Sequence, residues 1–312
     1  MEGIPEGGHD VLAGIDIGGS KIAALLVHAS GDIVARGVVP APAREGGAAM
    51  ADAAAGLVGR LLRESGTRLV AAGVGAAGVI DQATGVIRAA SDSFVGWAGF
   101  PLGPELEARL QVPVAVENDV NAFLIGEVAW GAAAEAGDVL GVMLGTGVGG
   151  AVVLDGELRA GPTGAAGEIG HTPGYSDLVC TCGQVGHLET LASGRSIEQR
   201  FLEAGGAEAD APAIADLARA GDPAARDVFE RAGRALGLAC VTAAGLLDLT
   251  TVVVGGGVAE AWDLLEPPVR EVLRTDSPVS GSPLTVLRGV LGGDAVALGA
   301  AASARHRLPI PA

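Results

Sequence analysis

Asp16 closes an apolar run, residues 11–17, where a carboxylate has no packing value and is costly if buried alone. Gly18, Gly19, Ser20 and Lys21 follow it directly. Exposed backbone N–H groups of a glycine turn can wrap phosphate oxygens, and an adjacent carboxylate suits a phosphate-side magnesium ion or its bound water. The competing reading is an aspartate capping its own turn. A second glycine turn, GTGVGG, spans 145–150 and adds the Thr146 hydroxyl to Gly145 and Gly147. The dinucleotide reading of that string requires a helix next and an acidic residue about twenty positions on. AVVLDGEL follows instead, a strand and a hairpin, and the single lysine lacks the spacing of a nucleotide-binding P-loop. Gly255, Gly256 and Gly257 end a third apolar run and would let a flat ring approach the backbone. Finally, His171, Cys180, Cys182 and His187 fall within seventeen residues, two thiolates and two imidazoles that suit tetrahedral zinc with every position filled, hence a structural ion. The alternative is a surface loop with incidental thiols, and Cys240, in an apolar helical run, reads as core.

The elements that must carry these groups follow from periodicity. Apolar runs at 11–17, 22–27 and 33–39, parted by glycine-rich or polar turns, predict three strands. Helical spacing marks 47–64, then strands at 69–75 and 112–116, and a helix from the Glu117–Asn118–Asp119 run to about residue 130. The second half repeats the opening: strand 139–144, glycine turn, strand 151–154, a polar DGE turn and a strand at 158. Strand, glycine turn, strand, hairpin and strand thus occur twice about 130 residues apart, a duplication at domain scale. Two related α/β lobes are expected, a small one over 1–118 and a large one over 119–293. Helices are predicted near 187–204, 223–247 and 259–274, with a strand at 251–254. A last helix, within 294–312, should pack back on the first lobe.

Charge excludes other classes. Twenty basic against 37 acidic residues give −17, with one lysine, Lys21, so there is little material for a basic patch and no nucleic-acid partner is expected. The longest charge-free stretch, 139–154, is sixteen residues with five glycines, unsuited to a membrane span. The opening MEGIPEGGHD is acidic where a secretory peptide is basic and then apolar. A cytoplasmic protein without disulfides is expected.

Taken together, DIGGSK, END with NAF close behind, LGTGVGGAVVLDGEL, GAAGEIGH, CTCG with GHLE, ASG and VVVGGG fall in the order and spacing of the ROK sugar kinases, and the resemblance runs from about residue 14 to 302. It implies the actin-like ATPase (ribonuclease H-like) fold, α/β, two lobes with ATP and sugar in a cleft between them, and a homo-oligomer. It makes Asp119 the general base that takes a sugar hydroxyl proton as the phosphoryl group arrives. As first residue of a helix Asp119 is also a candidate N-cap, with the helix dipole expected to keep it ionised. The resemblance places Asn118, Glu168, His171 and Glu189 on sugar hydroxyls, together with Gly78 and Ser93. It places ATP on Asp16, on 18–21, on 145–147 and on 255–257, with magnesium. In the zinc segment 171–189 the chain departs from the family, with His187 where a third cysteine is commoner. The Ser93 position departs too, since glucose-type members often carry Asn there, so an amino sugar or another epimer competes with glucose. A sugar-responsive repressor shares this body but carries a helix-turn-helix ahead of the first phosphate motif, where only about fifteen residues stand here. A catalytically dead sugar binder is disfavoured by the intact Asp16 and Asp119. A zinc deaminase would need its cysteines downstream of HxE, whereas here they lie upstream.

Overall fold

The computed structural model describes residues 10–90 and 94–308. The chain divides into two compact units, each with its own sheet and hydrophobic core. The first comprises the described residues up to Ala134, with Pro162–Ala165 and the residues from Gly293 on; the second comprises Glu135–Gly161 and Ala166–Gly292.

In the first unit β1 (Asp10–Ile17), β2 (Lys21–Val27) and β3 (Ile33–Pro40) form an antiparallel meander. After α1 (Gly47–Ser65), β4 (Arg68–Ala76) lies parallel to β1. A small hairpin, β5 (Val79–Asp81) and β6 (Val86–Ala89), then α2 (Leu102–Leu110), lead to β7 (Val114–Asn118), parallel to β4, and to α3 (Asp119–Trp130). The sheet order is β3-β2-β1-β4-β7. Central β1 is buried almost throughout and reads as a continuous apolar run, whereas edge strand β3 alternates. α1 ends on Gly66, left-handed at φ 67°, as glycine allows at a helix C-terminus.

In the second unit β8 (Val139–Leu144), β9 (Val148–Leu154) and β10 (Glu157–Leu158) form the second meander. Next come α4 (Glu189–Ala192), α5 (Gly194–Glu203), α6 (Ala211–Ala220) and α7 (Pro223–Leu247). They are followed by β11 (Thr251–Gly255), α8 (Trp262–Thr275) and β12 (Thr285–Arg288). Its order, β10-β9-β8-β11-β12, reproduces that of the first sheet strand for strand, so the duplication read in the sequence is a duplication of topology. α7 supplies the core with Phe229, Leu236 and Cys240, whose thiol burial pushes up to about 12, an inert core position.

The last helix, α9 (Ala295–Arg307), lies on β1 and β4 of the first unit. Glycine makes that approach possible: a Cβ on Gly14 or Gly73 would overlap the carbonyl oxygen of Ala297 or Ala300. α3 meets α9 equally closely, with Gly299 against the Ala122 carbonyl. This packing holds α3 in the first unit, so the division falls at 134/135 rather than at the expected 118/119. The helix expected over 187–204 is two, because Ser193 ends α4 and caps α5 with its hydroxyl on the Ser196 N–H, 3.1 Å. Among the described residues no helix is long and apolar enough to cross a membrane.

Candidate active site

The first unit gathers Asp16, the 18–21 turn, Gly78, Asn118 and Asp119 at the carboxyl ends of parallel strands. In register, Asp16 on β1 faces Gly75 on β4, and Gly75 faces Glu117 on β7. Chain direction then brings Asp119, the first residue of α3, beside the same glycine; a Cβ on Gly75 would stand 3.7 Å from the Asp119 Cα. The Gly18 N–H closes the adjoining turn on the Lys21 carbonyl at 3.0 Å, leaving Gly19 and Ser20 exposed.

Burial pushes the Asp16 carboxyl up to about 6 against the opposing pull of Lys21. Burial also raises Asp119 to about 6, and the Asp16 charge adds to that rise, while hydrogen bonds from the Val120 N–H, its own N–H and the Asn118 side chain pull it down. The helix terminus therefore does not hold Asp119 in the ordinary carboxylate range, because desolvation outweighs it. The Asp119 carboxyl is ionised above about pH 6. Nor is it the helix cap. Asn118 is, its Oδ1 accepting from the Val120 and Asn121 N–H groups at 2.9 and 3.2 Å. Asn118 Nδ2 donates to the Gly78 carbonyl at 3.0 Å, and the same side chain bears on the Asp119 carboxyl.

Ser93 lies outside the described residues. The residues after it form an aromatic stack that the sequence reading did not single out: Phe94, Trp97 and Phe100, with centroids 5.6 and 5.8 Å apart. Their spacing of three was the available signal. Trp97 donates its indole N–H to the Ala77 carbonyl at 3.0 Å, and the Phe94 ring lies against Gly19.

The second unit brings two of the glycine segments together. The Gly145 N–H donates to the Gly147 carbonyl at 2.9 Å, and Gly256, at φ 87°, passes directly beneath the Leu144 carbonyl. Gly145, Thr146 and Gly257 line one cavity of about 460 Å³, with Gly194, Phe229 and Ala261. Its far wall is α6, held by Asp210 capping the Ala213 N–H at 3.0 Å, and it includes Asp216 and Arg219. That wall was missed by the sequence reading, although Asp210 before Pro212 is a helix-start signal.

His171, Cys180, Cys182 and His187 converge, with ligand atoms all within 4.8 Å of one another. His171 Nδ1 stands 3.3 Å from His187 Nδ1 and 3.7 Å from Cys180 Sγ, and Cys182 Sγ stands 3.3 Å from His187 Nδ1. Zinc bonds of about 2.05 Å to nitrogen and about 2.3 Å to sulfur give tetrahedral edges of about 3.3 and 3.5 Å, so the donor set fits zinc. Gln184 Oε1 lies 3.1 Å from His187 Nε2 and would fix the tautomer that frees Nδ1 as ligand. Glu189 ties this segment to the glycine turn: Oε1 accepts from the Thr181 hydroxyl at 2.8 Å and Oε2 from the Val148 N–H at 2.9 Å. Glu168 is exposed and precedes a one-turn 3-10 helix, Ile169–His171.

Paired meanders of identical topology, each extended by two parallel strands, define the actin-like ATPase fold with two lobes. The chain matches the ROK family over residues 12–307 and belongs to that family. It is 35% identical over 321 residues to the glucokinase of Streptomyces coelicolor, covering 95% of this chain and 98% of that one. It is also 35% identical over 257 residues to the N-acetylmannosamine kinase of Escherichia fergusonii, covering 80% and 84%. Among solved structures, the ROK glucokinase from Streptomyces griseus in complex with glucose and AMPPNP superposes with a TM-score of 0.81 at 33% identity, covering 95% and 99%.

Proposed function

We propose that this protein is an ATP-dependent hexokinase that transfers the γ-phosphoryl group of ATP to O6 of a hexose, glucose first. The observation that carries the reading is Asp119, a desolvated carboxylate at the start of α3 that is ionised just below neutral pH and stands beside Asn118. A sugar hydroxyl is a poor nucleophile at neutral pH, and such a base removes its proton as attack proceeds. O6 forms its bond to phosphorus, the bond from the γ-phosphorus to the bridging oxygen breaks, ADP leaves, and the proton rests on Asp119. Asn118 offers an amide N–H to a ring hydroxyl, and Glu168, His171 and Glu189 are the sugar ligands assigned to the second unit. The 460 Å³ cavity, floored by Gly145, Thr146 and Gly257, is the assigned seat of the nucleotide. Asp16, a carboxylate beside a phosphate turn, would hold magnesium, which supplies charge neutralisation on the phosphates. His171, Cys180, Cys182 and His187 would hold structural zinc, which fixes the segment carrying His171 and Glu189.

The relationship to an N-acetylmannosamine kinase supports a second substrate, an N-acetylated amino sugar. A panel of hexoses and amino sugars, read by ADP release and by NMR of the product, decides between them. Phosphate on C1, or no hexose or amino sugar turned over at millimolar concentration with magnesium and ATP, overturns the reading.

A further inference from the structure

Glu117, two residues before the base, is only 2% exposed, and the phosphoryl transfer makes no use of it. A carboxylate in that position persists only if its lone pairs are met. Oε1 accepts from Gln82 Nε2 at 2.6 Å, from Asn121 Nδ2 at 3.2 Å and from the Asn118 N–H at 3.3 Å. Oε2 faces Arg307 Nη1 at 3.4 Å. The other arm of that guanidinium, Nη2, donates to the Gln82 carbonyl at 2.8 Å. Gln82 sits in the turn of the β5–β6 hairpin, whose base is Gly78, the residue that accepts the Asn118 amide.

We propose that Glu117 and Arg307 are positioning residues for sugar recognition. The last residue of α9 clamps the β5–β6 hairpin to the end of β7, and the clamped hairpin holds the Asn118 amide where a sugar hydroxyl meets it. Arg307 suits the task because its planar fork reaches a carboxylate and a carbonyl at once, which a lysine ammonium on a single stem does not. Neither group bonds Asp119 directly; its carboxyl is raised by burial and Asp16 and lowered by backbone N–H groups and the Asn118 side chain, so the clamp reaches it only through Asn118. The clamp therefore acts first on sugar affinity, through the placement of the Asn118 amide.

The inference rests on Asn118 being a sugar ligand, so the test has two arms. In the first, Arg307→Ala is expected to raise the sugar KM about tenfold, the usual scale for losing a charge-assisted hydrogen bond. The ATP KM should stay within about twofold. A sugar KM that stays within twofold, or sugar and ATP KM rising together, overturns the proposal. Gln82→Ala, which removes one partner at a half-exposed turn, should show the same split to a smaller degree and keeps the test open if the arginine variant folds poorly. In the second arm, amide hydrogen exchange of residues 79–89 is measured without any substrate. Arg307→Ala should speed exchange there and leave the β8–β9 meander unchanged. Unaltered exchange in the hairpin overturns the clamp, whereas a wild-type protein that phosphorylates no sugar would overturn only the kinase reading.

Discussion

Replacing Asp119 with Asn should abolish most turnover and at the same time stabilise the protein. The folded carboxyl titrates near 6 rather than at its ordinary 3.8, a difference of about 2.2 pH units, or about 3 kcal/mol. The sign follows from linkage. A carboxylate whose pKa is raised on folding favours the native state below the unfolded pKa, and that contribution is lost as pH rises through about 6. Above that pH the native protein carries a desolvated charge that the unfolded chain carries freely, and Asn carries none. Asn also keeps the carbonyl oxygen that accepts from the Val120 N–H at 3.1 Å, so the first turn of α3 loses no hydrogen bond. The gain at pH 8 is thus at most about 3 kcal/mol, and at pH 5, where Asp119 is largely protonated in the native state, about half that. Turnover should fall by roughly a hundredfold to ten thousandfold, the range for loss of a positioned base. Thermal or urea denaturation at both pH values, alongside steady-state kinetics, reads the two effects together. A variant less stable than wild type at pH 8, a gain that does not shrink at pH 5, or turnover within a few-fold of wild type would refute the reasoning.

The wild-type rate should rise with pH through about 6 and level off above neutrality, because Asp119 must be ionised to act. In Asp16→Asn the Asp119 midpoint should move down, since the Asp16 charge helps raise it; carbon NMR titration of the carboxyl reads this, and an unmoved midpoint contradicts it. The purified protein should hold about one zinc per chain by elemental analysis, retained in His187→Cys and weakened in His187→Ala. Stripping the metal should raise the sugar KM more than the ATP KM, and a metal-free protein with full sugar affinity would reject the assignment. A Cβ at Gly147 would stand 2.6 Å from Glu189 Oε2, so Gly147→Ala should raise the ATP KM and loosen the metal together, by pushing Glu189 off Thr181. Either effect without the other argues against that coupling.

What the sequence revealed and what it hid divide along a physical line. The two meanders were legible because each glycine turn lies between its own strands, and hydrophobic period and turn chemistry are local properties. The four zinc-type donors were legible for the same reason, being confined to one loop. The 134/135 division was not, because it depends on Gly299 of α9 meeting Ala122 of α3, two small residues whose meaning appears only once the helices touch. The high pKa of Asp119 was hidden too: a helix start suggests an ionised acid, while the burial and the Asp16 charge that outweigh it come from the stacking of β1, β4 and β7. The Glu117–Arg307 pair joins residues 190 positions apart. Read locally, Glu117 is a charge at a strand end and Arg307 a common residue for the last turn of a helix. Their pairing follows from α9 returning to the first unit, so the function of the last helix extends past its glycine-lined packing on the sheet to the hairpin beside Asn118.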